Sequence, residues 1–150
     1  MSSKGAVDGN WTLVFAAWLL AASATLGALF FGEVMRLPPC TLCWYQRICM
    51  FPLVLILPFA LFPADRALVL DRNVVRAVLP LPAVGTAVAA FQALLVHGVI
   101  PERVQPCSQG VSCSESVITW FGFLTIPHLS LLAFTTVATL LVLAVRRSPK

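Results

Sequence analysis

Residues 39–62 read Pro39-Cys40-Thr41-Leu42-Cys43-Trp44-Tyr45-Gln46-Arg47-Ile48-Cys49-Met50-Phe51-Pro52-Leu53-Val54-Leu55-Ile56-Leu57-Pro58-Phe59-Ala60-Leu61-Phe62. A C-x-x-C pair and one arginine lead into a run without charge as far as Phe62. About 20 apolar residues let a helix cross the hydrocarbon core of a bilayer, where the backbone must satisfy its own hydrogen bonds. The segment from Trp44 to Phe62 therefore predicts a membrane span with paired thiols at its mouth.

Three further segments have the same character: Trp11 to Phe31, Val74 to Ile100 and Trp120 to Val145. Trp11, Trp44 and Trp120 stand where interfacial tryptophans belong. Pro52, Pro58, Pro80, Pro82 and Pro127 fall inside these spans, which a bundle accommodates with kinks because neighbouring helices supply replacement partners. The expected fold is an all-α membrane protein, a four-transmembrane-helix bundle with two outward cysteine-bearing loops. No internal repeat, low-complexity tract or linker divides residues 1–150, so one four-helix transmembrane domain is expected.

Composition agrees. Of 150 residues, 59% are hydrophobic and 11% charged, and the mean hydropathy is +0.92; a soluble domain of this size has too little interior to hide so many apolar segments. The net charge of +4 does not indicate nucleic acid, because the ten Lys and Arg sit at segment ends with no basic patch among aromatics. The opening MSSKGAVDGN lacks the basic region, short apolar core and cleavage site of a signal peptide, so the first apolar segment is expected to stay.

Charge also predicts orientation. Lys4, Arg66, Arg72, Arg76, Arg146, Arg147 and Lys150 lie on one side of the spans, against Arg36, Arg47 and Arg103 on the other. Seven against three places both termini in the cytoplasm. The loops Gly32 to Cys43 and Pro101 to Thr119 then face outward, where disulfides persist.

Cys40 and Cys43 have the spacing of a strained, readily reduced disulfide. If a helix begins near Cys43, its free N–H groups and dipole favour a thiolate there, and Arg47 lies one turn on along the same face. Cys107 and Cys113 form a second candidate pair in a polar loop. Four cysteines allow three connectivities, and a crossed Cys40–Cys107 bond stands beside the two local ones. Cys49, six residues past Cys43, points about 240° around the helix and reads as a small buried hydrophobe. Two blander readings exist: inert staples, or a zinc site, for which C-x5-C makes a poor second half. An ion channel lacks support, since apart from Arg47 and Arg76 near span ends and the two histidines His97 and His128, the spans hold no Lys, Arg, His, Asp or Glu.

With Pro39-Cys40-Thr41-Leu42-Cys43-Trp44-Tyr45-Gln46-Arg47, the chain resembles the DsbB family of quinone-dependent thiol oxidoreductases, in its shorter BdbC-like branch. Cys107, Cys113, Trp120-Phe121-Gly122-Phe123 and Ile126-Pro127 fit that branch too, so the resemblance spans roughly residues 11 to 145. It implies a redox relay in a bacterial cytoplasmic (inner) membrane. A DsbA-like thioredoxin-fold partner outside the cytoplasm would hand electrons to Cys107 and Cys113, Cys40 would attack or resolve the interloop bond, and Cys43 would face a membrane quinone, either ubiquinone or menaquinone. Arg47 matches a family arginine beside the quinone ring, and His97, five residues after Gln92, matches a family histidine near it; no metal is implied. The second loop is shorter than in the longer DsbB branch, Cys49 stands outside the redox set, and His128 is read as structural. A vitamin K epoxide reductase-like enzyme is the neighbouring alternative, although there the C-x-x-C opens a late span. A structural or chaperone-like membrane protein with inert disulfides is a further one.

Overall fold

The computed structural model describes residues 3–36, 39–62, 71–99, 119–120 and 124–147. Helix α1 runs Ser3–Leu29 and continues through a widened π-helical turn, Phe30–Val34. Helix α2 is Thr41–Leu61, α3 Arg72–Val78, α4 Pro80–Val96 and α5 Ile126–Arg147. Four stretches are long and apolar enough to cross a membrane: Gly9–Val34, Thr41–Leu61, Arg72–Val96 and Pro127–Arg147.

One of the expected spans is redrawn. The third, Arg72–Val96, is interrupted at one of the expected proline sites, because Pro80 has no N–H to donate to Arg76; the chain bridges the joint with Leu79 N–H on the Arg76 carbonyl (3.3 Å). The fourth starts at Ile126 instead of Trp120. Thr119–Trp120 and Leu124–Thr125 form a two-stranded antiparallel pair, β1 and β2, with Trp120 opposite Leu124. Their apolar composition resembled helix on hydropathy alone, which does not separate a short apolar strand from a helix end.

The spans pack in a ring, α1 against α2, α2 against α4, α4 against α5 and α5 against α1. Inward positions recur at helical spacing: Val14, Ala17 and Ala21 on α1, Leu53, Leu57 and Ala60 on α2, Phe134, Val137, Leu141 and Ala144 on α5. Leu26, Leu55, Phe59 and Leu132 are as apolar and point outward, the pattern of helices whose outer face meets lipid. Gly85 lets α4 approach α5 closely, since a β-carbon there would collide with the ring of buried Phe134.

One proline of α2 and the end of that helix are compensated from α1. Pro58 cannot donate to the Val54 carbonyl, and the Trp18 indole N–H does so instead at 3.0 Å. The Leu61 carbonyl, in the last turn of α2, accepts from the Trp11 indole at 3.3 Å. Hydroxyls within the spans bond back along their own helices, as Thr86 does to the Pro82 carbonyl and Thr139 to that of Thr135.

Candidate functional site

Helix α2 begins at Thr41 because Cys40 caps it. Cys40 is extended (φ −67°, ψ 164°), its sulfur accepts from the Cys43 N–H at 3.3 Å, and its carbonyl accepts from the Trp44 N–H at 3.1 Å. A sulfur here takes the position of the side-chain oxygen that usually caps a helix. The cap folds the C-x-x-C onto itself and brings the two sulfurs to 2.8 Å. Both are thiols, and a small side-chain movement separates them from a disulfide. Cys43 thus lies in the first turn, among helix N–H groups with no intrahelical acceptor, where a thiolate is favoured by the dipole.

Cys40 lies just outside the span. The hydrogen bond it shares with Cys43 holds its thiol above the ordinary thiol range, and burial pushes the same way. Cys40 is therefore the member of the reduced pair that keeps its proton. It packs beside Leu42 and Leu95, with Val88 and Phe91 around them, so the start of α2 is set against the end of α4.

That end of α4 is sharply defined. Gly98 adopts φ +69°, its N–H bonds to the Leu95 carbonyl at 3.0 Å and the Val99 N–H to that of Leu94 at 3.1 Å. This double closure needs a left-handed residue, and glycine adopts that conformation without a β-carbon clash. It leaves Gln92 one turn inside the helix end and His97 at the cap.

Gln92 reaches both sulfurs. Its Nε2 stands 3.6 Å from Cys40 Sγ and 3.6 Å from Cys43 Sγ, and its Oε1 accepts from Gln46 Nε2 at 2.7 Å. Both glutamines are buried. Neither was singled out as a site residue from the sequence, although an uncharged polar side chain within a membrane span is the signal that finds such a residue.

Arg47 is anchored across the bundle. Its Nη2 donates to the Ala28 carbonyl at 2.7 Å, just before the π-helical turn of α1, and its guanidinium carbon lies 5.5 Å from the centroid of the Trp44 ring. Gly32 leaves room for it, since a β-carbon there would stand 2.9 Å from Nη2. Arg47 thus stays one turn from Cys43 with its charge beside the half-exposed Trp44.

His97 meets His128 of α5, with the two Nε2 atoms 2.9 Å apart and the rings edge to face. His97, at the end of α4, thus has a hydrogen-bonding partner that the sequence did not suggest. Cys49 is buried among the core residues, as its helical angle predicts. Cys107 and Cys113 lie outside the described residues. Among the described residues no three His, Cys, Asp or Glu side chains converge as metal ligands do.

The arrangement can carry out thiol–disulfide exchange: a close sulfur pair, one member held protonated, the other in the first turn of a helix, and an amide donor facing both. Comparison with known proteins points the same way. Residues 10–144 match the family model described as disulfide bond formation protein DsbB. The chain is 45% identical over 140 residues to a probable disulfide formation protein of Metapseudomonas resinovorans, covering 93% of each. It is 43% identical over 121 residues to disulfide bond formation protein C of Bacillus subtilis, covering 81% of this chain and 83% of that one. A probable disulfide formation protein of Coxiella burnetii is 38% identical over 138 residues, covering 90% and 88%. No solved structure matches the chain.

Proposed function

Because the chain belongs to the DsbB family and is a multi-pass membrane oxidoreductase that forms disulfides, we propose that it reoxidises a thioredoxin-fold partner and delivers the electrons to a membrane quinone. The observation that carries this reading is the Cys40–Cys43 pair, its sulfurs 2.8 Å apart at the start of a membrane-spanning helix. A redox pair at that depth can serve an aqueous thiol on one side and a lipid-soluble acceptor on the other.

In the proposed relay a thiolate of the reduced partner attacks the Cys107–Cys113 disulfide. The partner leaves with its own disulfide and the second-loop pair becomes a dithiol. Exchange with Cys40–Cys43 then restores the second-loop disulfide and leaves the C-x-x-C reduced. Cys40 makes and breaks the interloop bond, while Cys43 passes the electrons on.

The residues around Cys43 fit a quinone. Trp44 and Ile48 are more than half exposed on the outer face of α2, offering apolar surface for a ring and tail, and Arg47 supplies a fixed cation at the edge. His97, hydrogen-bonded to His128, would serve as a second polar contact. When bound, the quinone supplies an acceptor for two electrons and two protons. Charge bias orients the whole with both termini in the cytoplasm and the cysteines facing the periplasm or exterior.

The test is oxidation of a large excess of reduced DsbA-like protein by catalytic amounts of the purified chain, with ubiquinone or menaquinone analogues added under argon. One partner disulfide should form for each quinol. Partner oxidation that proceeds equally without quinone would overturn the reading.

A further inference from the structure

The relay leaves the most deeply placed polar contact at the site without a role. Gln92 is 4% exposed and Gln46 9%. An amide at membrane depth costs stability unless both its ends are bonded. Here they are: Gln46 donates to the Gln92 carbonyl oxygen, and the Gln92 nitrogen faces two sulfurs at equal distance.

The polarity of this chain is dictated by chemistry. A thiolate accepts hydrogen bonds and donates none, so an amide serving it must turn its nitrogen inward and its oxygen away. The outward oxygen then needs a donor, which Gln46 provides. The nitrogen carries two hydrogens, one for each sulfur within reach.

We infer that Gln92 is a catalytic hydrogen-bond donor to the Cys40–Cys43 pair, holding whichever sulfur carries the negative charge, and that Gln46 is the positioning residue that fixes its amide. The inference rests on the thiol-exchange reading of the pair. In that exchange an incoming thiolate bonds to one sulfur, the Cys40–Cys43 bond breaks, and its electron pair stays on the other sulfur as a thiolate. No proton moves in this step, so the charge must be met by a donor already in place. Equal reach lets one amide meet it on either sulfur without rearrangement. A disulfide sulfur is a weak acceptor and a thiolate a strong one, so the bond tightens as charge develops and favours product and transition state over the starting disulfide.

The test uses the full chain in detergent with Gln92→Leu and Gln92→Met, both of similar size and without a donor. Iodoacetamide labelling of the reduced pair, mapped by mass spectrometry, should slow about tenfold at pH 7 and regain the parent rate at high pH. Equilibration with glutathione should shift about tenfold toward the disulfide, about 30 mV for two electrons. Gln46→Met should move both readings in the same direction by less, as expected of a residue acting through Gln92. Parent-like labelling and equilibrium in either folded Gln92 variant would overturn the assignment. Neither readout needs quinone, so a chain that ignores quinone but responds to Gln92→Leu refutes the proposed acceptor and supports the donor; the reverse pattern refutes the donor alone.

Discussion

Two of the polar crossings between neighbouring helices differ in what they bond. Between α1 and α2, the indoles of Trp18 and Trp11 reach the Val54 and Leu61 carbonyls. Between α2 and α4, the amides of Gln46 and Gln92 reach each other and then two sulfurs. The first set ends on carbonyls whose charge never changes, so its work is complete once the helices pack. In the proposed relay the second ends on atoms whose charge changes with every electron pair. One crossing repairs a helix interrupted by proline; the other, in the proposed relay, is coupled to chemistry.

That contrast breaks down if the two regions respond alike to mutation. The largest expected effect is at the sulfur end: Cys43→Ser should abolish quinone reduction while leaving membrane insertion and thermal unfolding close to parent. Parent-like turnover in this variant would remove the C-x-x-C from the relay. The next largest lies in the packed middle. Gly85→Val drives a side chain into Phe134 and should lower stability by about 3 kcal/mol, seen as a fall in Tm, with turnover retained while the protein remains folded.

Trp18→Phe keeps the ring and removes the N–H, leaving the Val54 carbonyl without its partner. A loss of about 2 kcal/mol is expected, with labelling of Cys40 and Cys43 unaltered. If labelling changed as much as stability, the indole crossing would be part of the site after all. Smallest is Arg47→Gln, which removes the charge and keeps a shorter, uncharged amide in its place. Quinone use should weaken about tenfold with partner oxidation in a single exchange unaffected, as stopped-flow traces of the two steps would report.

These two regions were not equally legible in the sequence. Hydropathy identifies the four spans because each residue contributes alone to the cost of leaving water, and position along the chain is all that is needed. The same locality makes Cys49 readable, since its angle from Cys43 follows from helix geometry. Hydropathy placed the start of the fourth span too early at Trp120, because β1 and β2 are as apolar as a helix end. The prolines were legible as interruptions, but not the indole that answers Pro58, for Trp18 and Val54 are 36 residues apart. The amide crossing was hidden for the same reason: Gln46 and Gln92 are 46 residues apart, and only the packing of α2 on α4 makes them one feature. Arg47 was expected beside Cys43 from its spacing; its anchor on the Ala28 carbonyl, and the need for Gly32 beside it, depend on where α1 ends.

In the proposed relay electrons leave the protein from the Cys40–Cys43 pair to quinone. Its most direct test is to reduce the purified chain, remove the reductant, add one equivalent of quinone without oxygen, and count both quinol and the thiols remaining at Cys40 and Cys43. One quinol should appear for each Cys40–Cys43 disulfide formed, and none in Cys43→Ser. Full recovery of both thiols with the quinone unchanged would contradict it.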